Sequence, residues 1–128
     1  MAAFVELIKK MDNYMELGGV SEVDINKAEK ALGLKFAEEY REYLSVCGIA
    51  TADGHEFTGV GKSQRLNVIE VTNEHRSKNE NIPDDLYVIE DLSIDKIVIW
   101  QSVSGAVYQT VGNNNPEKIS KSLCEFLA

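Results

Sequence analysis

Cys47, His55 and Glu56 are the residues of this chain most able to do chemistry together, supplying a thiol, a base and an orienting carboxylate within ten positions of one another. A reactive thiol needs an electropositive, partly exposed setting. Cys47 instead continues the apolar stripe of Tyr40 and Leu44 on a segment rich in glutamate, a placement that raises a thiol pKa. The pattern therefore favours a core cysteine beside a solvated loop histidine. His75, the only other histidine, is not at the spacing of a paired helical metal site, and no cysteine pair is available to join it. No metal and no cofactor is expected.

Gly59-Val60-Gly61-Lys62-Ser63 invites comparison with a phosphate-binding loop. That loop needs a glycine five positions before its second glycine, so that backbone amides can wrap the phosphates. Glu56 stands there and would put a negative charge where phosphate oxygens should sit. The segment reads as a glycine-rich turn. Adjacent carboxylates occur at Glu38-Glu39, Asp84-Asp85 and Glu90-Asp91. Acid–base work on a glycoside requires two carboxylates at a set separation across a cleft. Neighbours on a regular strand, such as Glu90 and Asp91, point to opposite faces instead. Glu38 and Glu42 share a helix face of the kind that is usually solvated. The chain is expected not to be an enzyme.

The run from Asn79 to Asp95 holds Glu80, Asp84, Asp85, Glu90, Asp91 and Asp95 without one lysine, arginine or histidine. Gathered on one side of a sheet, these carboxylates would engage a basic surface; otherwise they form a solvated rim. The partner-binding residues expected are Asp84, Asp85, Glu90, Asp91 and Asp95, with His55 and Glu56. Over the whole chain 13 bases face 21 acids, a net charge of −8. Such a surface repels nucleic acid and anionic lipid and speeds encounter with a basic protein. Acidity also serves solubility alone. Cys47 and Cys124 are too few and too far apart for a disulfide framework, and both read as reduced core residues of a cytoplasmic protein. Acids and lysines within the opening apolar pattern argue against a signal peptide or a membrane span.

The elements that must position these residues follow from periodicity. Phe4, Ile8, Met11 and Met15 recur at helical spacing, with Leu7, Tyr14 and Leu17 widening the stripe, which predicts an opening helix that ends at Gly18-Gly19. Ser21, three residues before Asp24, caps a second helix through Ile25, Ala28, Ala31 and Leu32, and Gly33 stops it. Phe36, Tyr40, Tyr43, Leu44 and Cys47 mark a third helix that ends at Gly48. Residues 49–65 read as loop-rich, with a short strand over 57–60. Asn67 caps a helix towards Asn79, although Val68-Ile69-Glu70-Val71 reads equally as a strand from its side-chain types. Strands are predicted over 86–89, 97–100 and 106–111, the last two joined as a hairpin. Asn115-Pro116 predicts a final helix, with asparagine as cap and proline at the first helical position, burying Ile119, Leu123 and Phe126. Helices first, then antiparallel strands, then a helix predict an α+β fold rather than a parallel α/β sheet. With 128 residues the chain is expected to be one domain over 1–128, an antiparallel sheet packed against N-terminal helices and a C-terminal helix.

The segment Ala28-Glu29 to Gly48 resembles the signature of the SUKH superfamily, bacterial immunity proteins with relatives in eukaryotic cell-wall regulation. Ala28-Glu29, Leu32-Gly33, Tyr40 and Leu44 match that signature as they stand. Phe36-Ala37 stands where leucine-proline is usual, and Cys47-Gly48 where asparagine-glycine is usual. The likeness extends over residues 20–127 and favours the helical reading of 68–79. It implies a non-catalytic immunity protein that neutralises a cognate secreted toxin with a basic surface, often a nuclease, by binding its toxin domain inside the producing cell. Two rivals stand beside it: a general interaction or regulatory module of the same fold, and a small enzyme using Cys47, His55 and carboxylates.

Overall fold

The computed structural model describes residues 3–127. Among them the chain forms helices α1 (Ala3–Lys9), α2 (Glu22–Leu32), α3 (Glu38–Val46), α4 (Val68–Lys78) and α5 (Leu123–Leu127), with strands β1 (Met15–Glu16), β2 (Ala50–Ala52), β3 (His55–Glu56), β4 (Tyr87–Asp91), β5 (Ile97–Gln101), β6 (Val107–Val111) and β7 (Glu117–Ser120). β1, β2 and β3 make a small antiparallel sheet, and β4 to β7 make an antiparallel meander in chain order. The two are stitched where the Thr58 amide donates to the Ile89 carbonyl at 2.8 Å and the Thr58 hydroxyl to the Val88 carbonyl at 2.6 Å. The expected α+β class, with helices on an antiparallel sheet, is what the chain adopts.

The main core forms because alternate residues of the meander face the helices. Tyr87, Ile89, Ile99 and Val107 pack with Phe4 and Ile8 of α1, Ile25 and Leu32 of α2, and Tyr40, Tyr43 and Leu44 of α3. The intervening positions Leu86, Val88, Val98 and Trp100 form a second, smaller cluster with Val71 of α4. Rings of Phe36, Tyr40 and Tyr87 meet at 4.8–5.0 Å. Three buried tyrosine hydroxyls then bond helices to strands. Tyr40 pairs with Thr58 at 3.0 Å. Tyr43 accepts from the Ala50 amide at 2.9 Å. Tyr87 accepts from the Ala37 amide at 2.9 Å and donates to Gln101 at 2.8 Å. Burial holds all three phenols well above their ordinary pKa, so they stay neutral hydrogen-bonding groups. Ala37 opens α3 with no side-chain cap, but its N–H, which a proline would lack, reaches Tyr87.

Several boundaries differ from the sequence-based expectation. The opening helix ends at Lys9, not near Leu17. Asn13 takes a left-handed turn (φ 59°), and Met15 and Glu16 leave the helix to pair with Thr51 and Ala50. Met15 and Leu17 are therefore exposed rather than part of a core stripe. Residues 49–65 hold a hairpin: Asp53-Gly54 turns β2 into β3, so the strand lies just before 57–60. Pro116 does not open a helix but precedes edge strand β7, which leaves Ile119 exposed. α5 starts after Ser122, whose hydroxyl accepts from the Glu125 amide at 3.0 Å. Cys124 is half-buried and not a core residue, whereas Cys47 is fully buried.

Candidate functional site

The glycine-rich turn is a packing device. A Cβ at Gly59 would collide with the Gly48 carbonyl oxygen, so the two loops touch backbone to backbone. The Gly59 amide donates to Leu66 and the Val60 amide to Gly48, so neither is aimed at an anion. The Cys47, His55, Glu56 grouping does not assemble. Cys47 lies against the Tyr14 hydroxyl at 3.2 Å, and burial pushes its thiol pKa up. His55 turns elsewhere, with Nδ1 at 3.0 and 3.1 Å from the two Glu90 oxygens and its ring stacked on Phe57.

The acidic run is dispersed by the strand it enters. Asp84 and Asp85 are exposed before the start of β4, and Asp95 is exposed beyond its end in a left-handed turn (φ 54°). Glu90 and Asp91 do point to opposite sides. Glu90 is buried and also accepts from the Glu56 amide at 3.2 Å. Burial raises its pKa above the ordinary carboxylate value, against the opposing pull of His55. Asp91 turns to α4, where its Oδ2 lies 2.9 Å from His75 Nε2. Each histidine of the chain is thus bonded to one of two successive carboxylates in β4. The one-patch arrangement expected for Asp84, Asp85, Glu90, Asp91 and Asp95 is not formed, because five strand residues span roughly 17 Å and alternate in direction.

A different acidic surface takes its place. Between β3, α4 and the end of β4 lies a solvent-open cleft of about 570 Å³. Glu56, Glu70, Glu74 and Asp91 supply its acid groups, against Arg65 and His75. Its position follows from local chemistry. The Asn67 side chain accepts from the Ile69 and Glu70 amides and starts α4 there. Thr72, buried, accepts from the Val88 amide at 3.0 Å and fixes that helix on β4. The opposite helix face then carries Glu70, Asn73 and Glu74 to the cleft. Arg65 holds Glu56 by a two-pronged contact, 2.8 Å at each oxygen, which lowers the Glu56 pKa. Of the expected partner residues, Glu56 and Asp91 line this cleft, while His55, Glu90, Asp84, Asp85 and Asp95 do not. Glu70, Glu74 and Arg65 were the ones missed. Their signal was present in the i,i+4 spacing of Glu70 and Glu74 on the solvent side of a helix that Asn67 predicts. His75 closes the far wall, shared with a second cavity of about 340 Å³ that also reaches Trp100.

The carboxylates of the signature segment have another role. Glu29, buried, accepts from the Phe36 amide at 2.8 Å and pairs with Arg41 at 2.9 Å. Glu39 accepts from the Leu123 and Cys124 amides at 2.7 and 3.1 Å, capping α5, and from Gln101 at 2.9 Å. These are internal fastenings. Among the described residues no three His, Cys, Asp or Glu side chains gather as a metal-holding group, and no helix is long and apolar enough to cross a membrane.

A helix-faced antiparallel meander fastened by buried carboxylates, with an open acidic cleft on its rim, makes this a small α+β protein. The chain belongs to the SUKH superfamily: the family model SUKH_5, described as SMI1-KNR4 cell-wall, matches residues 1–128. Among curated proteins, none matches it. Membership supports an immunity or SMI1/KNR4-like regulatory role in general, in a family that is generally non-catalytic.

Proposed function

We propose that this chain is a non-catalytic immunity protein that binds and neutralises a cognate secreted bacterial toxin, a nuclease, inside the cell that makes it. The observation that carries the reading is the cleft of Glu56, Glu70, Glu74 and Asp91, open to solvent on a chain of net charge −8. A nuclease must present a basic surface to phosphates, and an acidic surface raises its rate of encounter while buried contacts set the rate of escape. The nucleophile that a catalytic reading would need is not activated: burial beside Tyr14 raises the Cys47 thiol pKa, and His55 Nδ1 is directed at Glu90 rather than at that thiol.

Co-expression with the toxin encoded beside this chain should restore growth, and the purified pair should form a stoichiometric complex at low salt. Failure of both removes the proposal. A regulatory scaffold is the second reading, favoured by the cell-wall description of the matching family; a gene with no toxin neighbour would support it.

A further inference from the structure

Met15 and Leu17 are 70% and 60% exposed on and beside the short edge strand β1, where an apolar side chain gains nothing from folding. With Ile49 and Leu66 they wall an apolar groove of about 240 Å³. Arg65 and Leu66 line both this groove and the acidic cleft, so the two form one continuous surface, apolar at one end and anionic at the other. An apolar pocket beside a polar, charged rim is the arrangement from which binding hot spots are built.

Arg65 stands at the junction. Its guanidinium meets both Glu56 oxygens at 2.8 Å, with side chains 67% and 46% exposed. Glu56 is therefore already posed to accept an arginine fork. An ion pair this open contributes little to folding, so its arginine is exchangeable.

We infer that the Met15–Leu17 groove receives an apolar side chain of a basic protein partner, and that a neighbouring arginine of that partner replaces Arg65 on Glu56. Charge complementarity selects this occupant: Glu16 beside the groove and Glu56, Glu70 and Glu74 beyond it favour a cationic segment. The inference rests on the partner-binding reading above and names which surface does the binding.

The test uses the full chain and amide NMR with three synthetic tetrapeptides: acetyl-Leu-Arg-Leu-Arg-amide, the same peptide with serine for leucine, and the same peptide with glutamate for arginine. Only the first should move the Leu17, Ile49 and Leu66 amides. Leu17→Asp should abolish the shifts while keeping the dispersed spectrum of a folded chain. Arg65→Ala should tighten binding about threefold, the scale of one exposed ion pair. That gain should vanish in a Glu56→Gln background and persist with Glu70→Gln. Equal shifts from the serine peptide, shifts elsewhere, or a gain independent of Glu56 overturn the inference. So does sedimentation as a dimer that Leu17→Asp dissociates, since the groove would then be covered by a second copy. Loss of the peptide site with toxin protection intact sinks this surface alone; peptide binding without toxin binding sinks the immunity reading and leaves the groove standing.

Discussion

Carboxylates are used in opposite ways in the two halves of this molecule. In the helical half, Glu29 and Glu39 turn inward and are consumed by backbone amides, Arg41 and Gln101. At the β3–α4 rim, Glu70 and Glu74 stay in water, and Glu56 is held only by an exposed arginine. The contrast separates the residues that make the family recognisable from those able to meet a partner. Ala28, Glu29, Leu32, Tyr40 and Leu44 are buried, so they specify the frame and touch nothing outside it. A partner can read only the rim, where a change costs the fold little and alters encounter directly.

Breaking the inward half should have the largest effect. Glu29→Ala leaves the Phe36 amide and the Arg41 guanidinium without their shared acceptor. Arg41 is partly exposed and keeps Asn26 and Glu22, so the main loss is the buried amide left without its charged acceptor, about 2–3 kcal/mol, a fall in Tm of roughly 6–10 °C for a chain of this size. Glu29→Gln, which keeps an acceptor for the amide, should lose less than half of that. Thermal unfolding within ~0.5 kcal/mol of the parent for Glu29→Ala would mean that the buried carboxylate is not a fastening, and the contrast would collapse.

Features set by local rules were legible in sequence in both halves. The Ser21 cap, the Gly33 stop and the Asn67 cap are local rules with local outcomes, and all three stand: Ser21 accepts from Asp24, Gly33 is left-handed, and Asn67 accepts from two amides. The hairpin of β5 and β6 follows from its β-branched runs. The opening stripe misled because helical spacing through Met11 and Met15 carries no record of chain direction. Asp12-Asn13 supplied a turn, and β2 offered β1 a strand to pair with. Asn115-Pro116 suits an edge strand as well as a helix start, and the Ser122…Glu125 cap spacing that does open α5 went unused. The cleft was hidden for a different reason. It joins Glu56 to Glu70, Glu74 and Asp91 across three elements, whereas a run of acids in sequence is only a line, which β4 draws out and alternates.

The rim should yield the converse result. Glu70→Lys with Glu74→Lys should cost only about 1 kcal/mol of stability, since both side chains are exposed, Glu70 lies in the first turn of α4 and the Glu74–Lys78 contact is a 3.5 Å surface pair. Association with the basic toxin should slow by roughly tenfold at low salt. The difference should close towards about 1 M salt, where screening acts within about 3 Å. Stopped-flow association across a salt series measures this. A salt-independent loss, or none, would place the encounter surface elsewhere.

Glu90 lies between the two regimes, buried like Glu29 yet on the strand that ends at the cleft, and its effect should be the smallest. Burial lifts its carboxyl above the ordinary 4.5. The folded chain therefore binds a proton more readily there than the unfolded one, so the stability contributed is complete below 4.5 and is lost as pH rises through the folded value. Glu90→Gln removes the charge while keeping an oxygen for the Glu56 amide and for His55. Its stability relative to the parent should improve steadily as pH climbs from about 4 to about 6, short of the ordinary histidine range. Denaturant unfolding at stepped pH reads this directly. A gap that stays flat would mean that His55 fully offsets burial, which would place Glu90 with the well-satisfied inward carboxylates; a gap that shrinks would reverse the sign of the burial effect itself.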